Sequence, residues 1–131
     1  VLILDSNTSK NDLTVFENIK FWQTIFSSPI NKNEIDLLLE LLNIQNYKNT
    51  LVKHLSRGEK RKLELSRLMI EKKKLWIFDE PYLGLDETTI AIFNETLLNH
   101  STAGGMTIFS SHHHLEMSGV ETINLENYAV T

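Results

Sequence analysis

At 131 residues the chain has the length of one domain, and 41% hydrophobic with 23% charged residues describes a soluble globular protein able to bury a core. A count of 13 Lys+Arg against 17 Asp+Glu leaves a net charge of -4, which excludes a global attraction to nucleic acid or anionic lipid, so no nucleic-acid partner is expected. The absence of Cys excludes disulfides and thiolate metal sites, and no apolar run approaches the roughly 20 residues of a membrane span.

The chain opens on Val1 with the apolar run "VLIL", read as a strand over Val1–Leu4 that begins as if inside a domain. Nothing resembles a signal or transit peptide, and the excess of Lys and Asn suits an AT-rich genome such as that of an organelle or an intracellular bacterium. After the polar stretch "DSNTSKND", Thr14-x-x-Glu17 forms a capping box, and Val15, Ile19, Trp22 and Phe26 share one face of the helix it starts. "SSPINKN" breaks the chain before a second amphipathic helix with Ile35, Leu38, Leu39 and Leu42. The two helices form a small helical unit over about 13–55, in which Gln45–His54 is a polar connection.

"LSRGEKRK" at 55–62 opens a long helix expected to run from Ser56 to about Lys72, with Lys72–Lys74 placed against the negative end of its dipole. "LWIF" at Leu75–Phe78 is four apolar residues in a row, the pattern of a strand buried on both faces. A helix from about Glu87 to Asn99 presents Ile90, Phe93 and Leu97, and Gly104-Gly105 resets the chain into a strand at Met106–Phe109. "ETINLENY" reads as a last strand at an edge. Strand, helix and strand alternating with short links predict an α/β fold with a parallel sheet.

Chemistry concentrates where these strands end. Asp79 and Glu80 follow the strand at 75–78 and lie at its carboxyl end, where open α/β sheets bind ligands. A carboxylate there can hold Mg²⁺ through water, and its neighbour can orient or deprotonate an attacking water, although acidic residues also end strands simply by facing solvent. Asp86, after Gly84-Leu85, is either a second functional acid or the N-cap of the next helix. His112 ends the second strand as Asp79 ends the first and can donate to a phosphoryl oxygen. The triplet His112–His114 has neither Cys nor spaced acids around it, which argues against a metal site. In "LSRGEKRK", free backbone N–H groups, the Ser56 hydroxyl and the bare backbone of Gly58 can grip a phosphate; an ordinary Ser-capped helix with a basic face has the same residues.

"LSRGEKRK", "LWIFDEP", "GLD" and "SSH" occur in an order that resembles the second part of the nucleotide-binding domain of an ABC ATPase, a P-loop NTPase-type fold, over nearly the whole chain. The resemblance implies ATP and Mg²⁺ as ligands, Ser56, Gly58 and Glu59 as signature-motif residues, Asp79 as the Walker B magnesium position, Glu80 as the catalytic base, Asp86 as the D-loop acid and His112 as the switch histidine. Glu59 stands where the family usually has Gln, which is expected to weaken a γ-phosphate contact. "LTVFENIKFW", "SRLMIEKKKLWIFDEPYLGLD" and "GGMTIFSSHH" are similar to segments of the ATP-binding subunit of the cytochrome c maturation haem exporter.

Two departures from the family pattern stand out. The loop before "LTVFEN" has Asp5-Ser6 and no Gln near the expected Q-loop position, and the Walker A loop is missing, so the 131 residues represent an incomplete domain. The resemblance therefore implies a polypeptide carrying the Walker A half, a second ATPase domain facing the first head to tail, and transmembrane permease subunits docked on the helical unit. The expected place is peripheral on an inner membrane, on the mitochondrial matrix side or the bacterial cytoplasmic side, and the chain alone is expected to be inactive. A degenerate scaffold subunit and a soluble ABC-type ATPase of translation or DNA repair are the competing readings.

Overall fold

Three helices start on reciprocal side-chain caps: Thr14 with Glu17, the box expected from the sequence, and also Asn31 with Glu34 and Ser56 with Glu59. They belong to a computed structural model that describes residues 2–3, 8–112 and 117–129. In chain order the described elements are β1 (Leu2–Ile3), α1 (Val15–Ile25), α2 (Lys32–Leu41), 3-10 turns at Gln45–Tyr47 and Val52–His54, α3 (Arg57–Glu71), β2 (Leu75–Phe78), α4 (Glu87–Thr102), β3 (Met106–Phe109) and a 3-10 turn at Leu125–Tyr128. Asp5, Ser6, His113 and His114 lie outside the described residues.

The helical unit closes on the apolar stripes expected of it. Val15, Ile19 and Trp22 of α1 meet Ile35 and Leu39 of α2, and Leu42, Ile44 and Val52 complete the cluster. The connection at Gln45–His54 is better anchored than its polarity suggests. Val15 N–H donates to the Thr50 carbonyl at 3.1 Å and Val52 N–H to the Leu13 carbonyl at 3.0 Å, which ties both ends of the unit together.

α3 packs against both α1 and α4, so it is buried on more than one face: Leu63, Leu65, Leu68 and Ile70 are covered, and so are Glu64 and Ser66. A buried carboxylate needs partners. Glu64 accepts from the Thr8 hydroxyl at 2.6 Å and from Ser9 N–H at 2.8 Å, pinning the loop ahead of α1 to the middle of α3.

The strands are parallel in the order β1-β2-β3, with Leu75 beside Met106, Ile77 beside Ile108 and Phe78 beside Phe109. Trp76 and Phe78 are buried on the helical side, where Phe78 meets the α4 residue Phe93 edge to face at 5.4 Å. On the opposite face Leu75, Ile77, Met106 and Ile108 remain 41%, 37%, 63% and 55% exposed. β2 is thus buried on one face, not on both as its apolar run suggested, because every described helix packed on the sheet lies on the same side. The tail also departs from expectation: instead of an edge strand, Leu125–Tyr128 forms a 3-10 turn started by the Asn124 side chain, which accepts from Glu126 N–H at 2.9 Å. The expected α/β architecture, a parallel sheet flanked by helices with a helical unit ahead of it, is otherwise as found.

Candidate functional site

The parallel register sets the carboxyl ends of β2 and β3 side by side, and the residues after them meet. The Ser110 hydroxyl donates to Asp79 Oδ1 at 2.5 Å and accepts from Glu80 N–H at 3.1 Å. Glu80 has φ of +45°, a left-handed conformation that a residue with a Cβ adopts only when its surroundings hold it. Its carboxylate Oε1 lies 3.4 Å from His112 Nε2, forming an ion pair when the imidazole is protonated. Asp79, Glu80 and His112, expected together from the sequence, do come together, and His112 projects into solvent with its side chain 92% exposed.

Asp86 fills the capping role that its position allowed. One carboxylate oxygen accepts from Thr89 N–H at 2.7 Å and from the Thr89 hydroxyl at 2.5 Å, and the other faces Lys62 Nζ at 3.0 Å. These bonds, with the Thr89 hydroxyl the largest influence and Lys62 a smaller one, lower its pKa from 3.8 to about 2. The turn before it needs Gly84, whose φ is +77°.

At the start of α3, Ser56 Oγ accepts from Glu59 N–H at 3.2 Å while the Glu59 carboxylate accepts from Ser56 N–H at 2.7 Å. The Tyr47 hydroxyl also bonds Glu59 and is the main reason that its pKa is lowered. Glu59 is therefore engaged by its own cap and by Tyr47. Gly58 has no such internal explanation. A Cβ built there would meet only the Gly84 carbonyl oxygen, at an ordinary contact of 3.8 Å, yet glycine inside a helix costs about 1 kcal/mol relative to Ala.

The N-terminal part of α3 reaches the strand ends one turn further on, through Arg61, which donates to the Glu80 carbonyl at 3.1 Å, and through Lys62. Sequence reading assigned no role to Ser110, Arg61, Lys62 or Tyr47. Ser110 was findable, since it follows β3 as Asp79 follows β2, but the two basic residues read only as part of a basic helix face.

The family model for "ABC transporter" matches residues 1–83, and the chain belongs to that family. Among proteins it is similar to is the "Cytochrome c biogenesis ATP-binding export protein CcmA" of Pasteurella multocida, 31% identical over 93% of this chain and 57% of that protein. The proteins of the same name from Paracoccus denitrificans and Reclinomonas americana are 36% and 37% identical, over 92% and 83% of this chain and 55% and 50% of theirs. The chain thus spans about half the length of the curated relatives it matches. The fold is similar to that of a putative ABC transporter ATP-binding protein from Pyrococcus furiosus, with a TM-score of 0.71 and 21% identity over 88% of this chain and 58% of that one. An ATP-binding subunit of an ABC transporter superposes with a TM-score of 0.70, at 22% identity over 85% of this chain and 48% of its own length.

Proposed function

We propose that the chain is the signature and Walker B part of an ABC transporter ATPase, hydrolysing ATP to drive export for cytochrome c biogenesis, with haem as the cargo. The observation that carries this reading is the convergence of Asp79, Glu80, Ser110 and His112 at two adjacent parallel strand ends. In it, Glu80 is the general base toward an attacking water and His112 binds a phosphoryl oxygen while also contacting that base. Ser56 and the backbone at Gly58 grip a phosphate held by the opposite ATPase domain, and the bare Gly58 backbone is explained by that approach. Asp86 holds the loop between the two sites, and Glu59, turned into its cap, lends the grip little contact with phosphate.

The Asp79 carboxylate and the Ser110 hydroxyl offer only oxygen donors, which fits Mg²⁺. No group of three or more metal-ligating His, Cys, Asp or Glu occurs among the described residues, so water and phosphate oxygens would complete the shell. Bound there, the ion neutralises phosphate charge.

The open face of the sheet supports a partner for this half. Parallel sheets are covered on both sides, and Leu75, Ile77, Met106 and Ile108 are left bare here. The cover is the Walker A portion, carried on a companion polypeptide. The assembled unit pairs with a second ATPase domain and docks through the region around Leu13–Leu42 on transmembrane permease subunits. The proposed place is peripheral, on the matrix or bacterial cytoplasmic side; among the described residues no helix is long and apolar enough to cross a membrane.

The test is a Glu80→Gln substitution in the purified membrane assembly, with every chain identified by mass. Hydrolysis is expected to fall by about 10²-fold or more while nucleotide is retained. Unchanged hydrolysis and transport would leave a scaffold role instead. A Walker A loop on a separate polypeptide supports the two-chain arrangement; one continuous with Val1 replaces it.

A further inference from the structure

Arg61 and Lys62 sit one turn past the Ser56–Glu59 cap, and both reach away from α3 to the loops that follow β2. The Arg61 guanidinium donates to the Glu80 carbonyl at 3.1 Å. Lys62 Nζ stands 3.0 Å from Asp86 Oδ2, with the lysine side chain only 13% exposed. Helix formation requires neither contact, since a basic residue extends a helix equally well with its charge in water.

The consequence falls on Glu80. Its backbone is held at both poles, with the N–H on Ser110 Oγ at 3.1 Å and the carbonyl on Arg61. A Glu at φ of +45° relaxes to an ordinary conformation unless such contacts fix it, and relaxing would swing the carboxylate away from His112. The helix that begins with Ser56 and Gly58 therefore grips this turn from its second turn.

Resting on the ATPase reading above, we infer that Arg61 is a positioning residue for Glu80. Together with Lys62, which meets Asp86, it ties the second turn of α3 to the loop after β2 and so fixes the aim of the Glu80 carboxylate. The planar guanidinium suits a fixed carbonyl, and a Lys at the same position retains one donor with less directional control.

The experiment compares Arg61→Met and Arg61→Lys with the unmodified chain in the whole assembly, reading amide hydrogen exchange and steady-state kinetics for MgATP. In Arg61→Met, exchange over 79–83 is expected to rise about tenfold while the core of α3 keeps its protection. The same variant lowers kcat by about 10- to 100-fold and leaves KM within about twofold, and Arg61→Lys recovers part of the loss. Unchanged exchange over 79–83 overturns the clamp. Faster exchange there with unchanged kcat overturns the positioning role, and loss of protection throughout α3 with no recovery by Lys reduces Arg61 to a packing role and overturns both. Glu80→Gln, measured alongside, separates the readings: full hydrolysis in that variant overturns the ATPase proposal and the positioning role with it, whereas the exchange result still decides the clamp.

Discussion

In the helical unit Val15, Ile19, Ile35, Leu39 and Leu42 are fully buried, whereas in the sheet Leu75, Ile77, Met106 and Ile108 are 37–63% exposed. Both regions are built from strongly apolar segments. The difference is one of partners: α1 and α2 present one stripe each and find each other and α3, while a parallel strand presents two faces and finds helices for one. Trp76 and Phe78 have their cover in α4, so the sheet is half a core, complete on the side that positions Asp79 and Glu80.

The largest effect should come from breaking the closed half. Phe93 is 1% exposed and touches Phe78 at 5.4 Å and Tyr82 at 5.2 Å, so Phe93→Ala is expected to cost about 3–5 kcal/mol of unfolding free energy. Leu39→Ala, at the centre of the helical unit, should cost about 2–5 kcal/mol. Denaturant titration checks both, and a loss below about 1 kcal/mol in either would contradict a closed core there.

The open face should respond conditionally. Ile108→Ser is expected to change the stability of these 131 residues by less than about 0.5 kcal/mol, since the site already faces water. With the Walker A portion joined, the same change should cost about 1.5–3 kcal/mol. Equal losses with and without that portion would show that the face is not its seat.

The smallest effect concerns the seam between the two regions, where Lys62 meets Asp86. Because folding depresses the Asp86 pKa from 3.8 to about 2, its contribution is fully present above pH 3.8 and is lost as pH falls through about 2. Helical circular dichroism should therefore show a shallow acid transition between those values that flattens in Asp86→Asn. Identical profiles would mean that the cap does not titrate with the fold.

Much of this was written in the sequence in local form. The capping box at Thr14, the break before α2 and the apolar stripes in α1 and α2 act within a few residues, so pattern alone placed those helices. The same holds for the acids at the end of β2 and for His112 at the end of β3, because strand ends can be read without knowing strand neighbours. What escaped was contact over long separations. Ser110 meets Asp79 only because β3 pairs with β2 in one register, and the Arg61 and Lys62 contacts exist only because α3 crosses over the loops after β2.

Composition and spacing by themselves determined the class of fold, the order of motifs and the residue types at the site, since these depend on periodicity and on which groups carry charge or donors. Tertiary structure alone decided that Glu59 meets Tyr47, that Glu80 is held left-handed between Ser110 and Arg61, and that one sheet face is left open. Each of those depends on what lies opposite a residue in space, a relation that side-chain chemistry permits but only packing fixes.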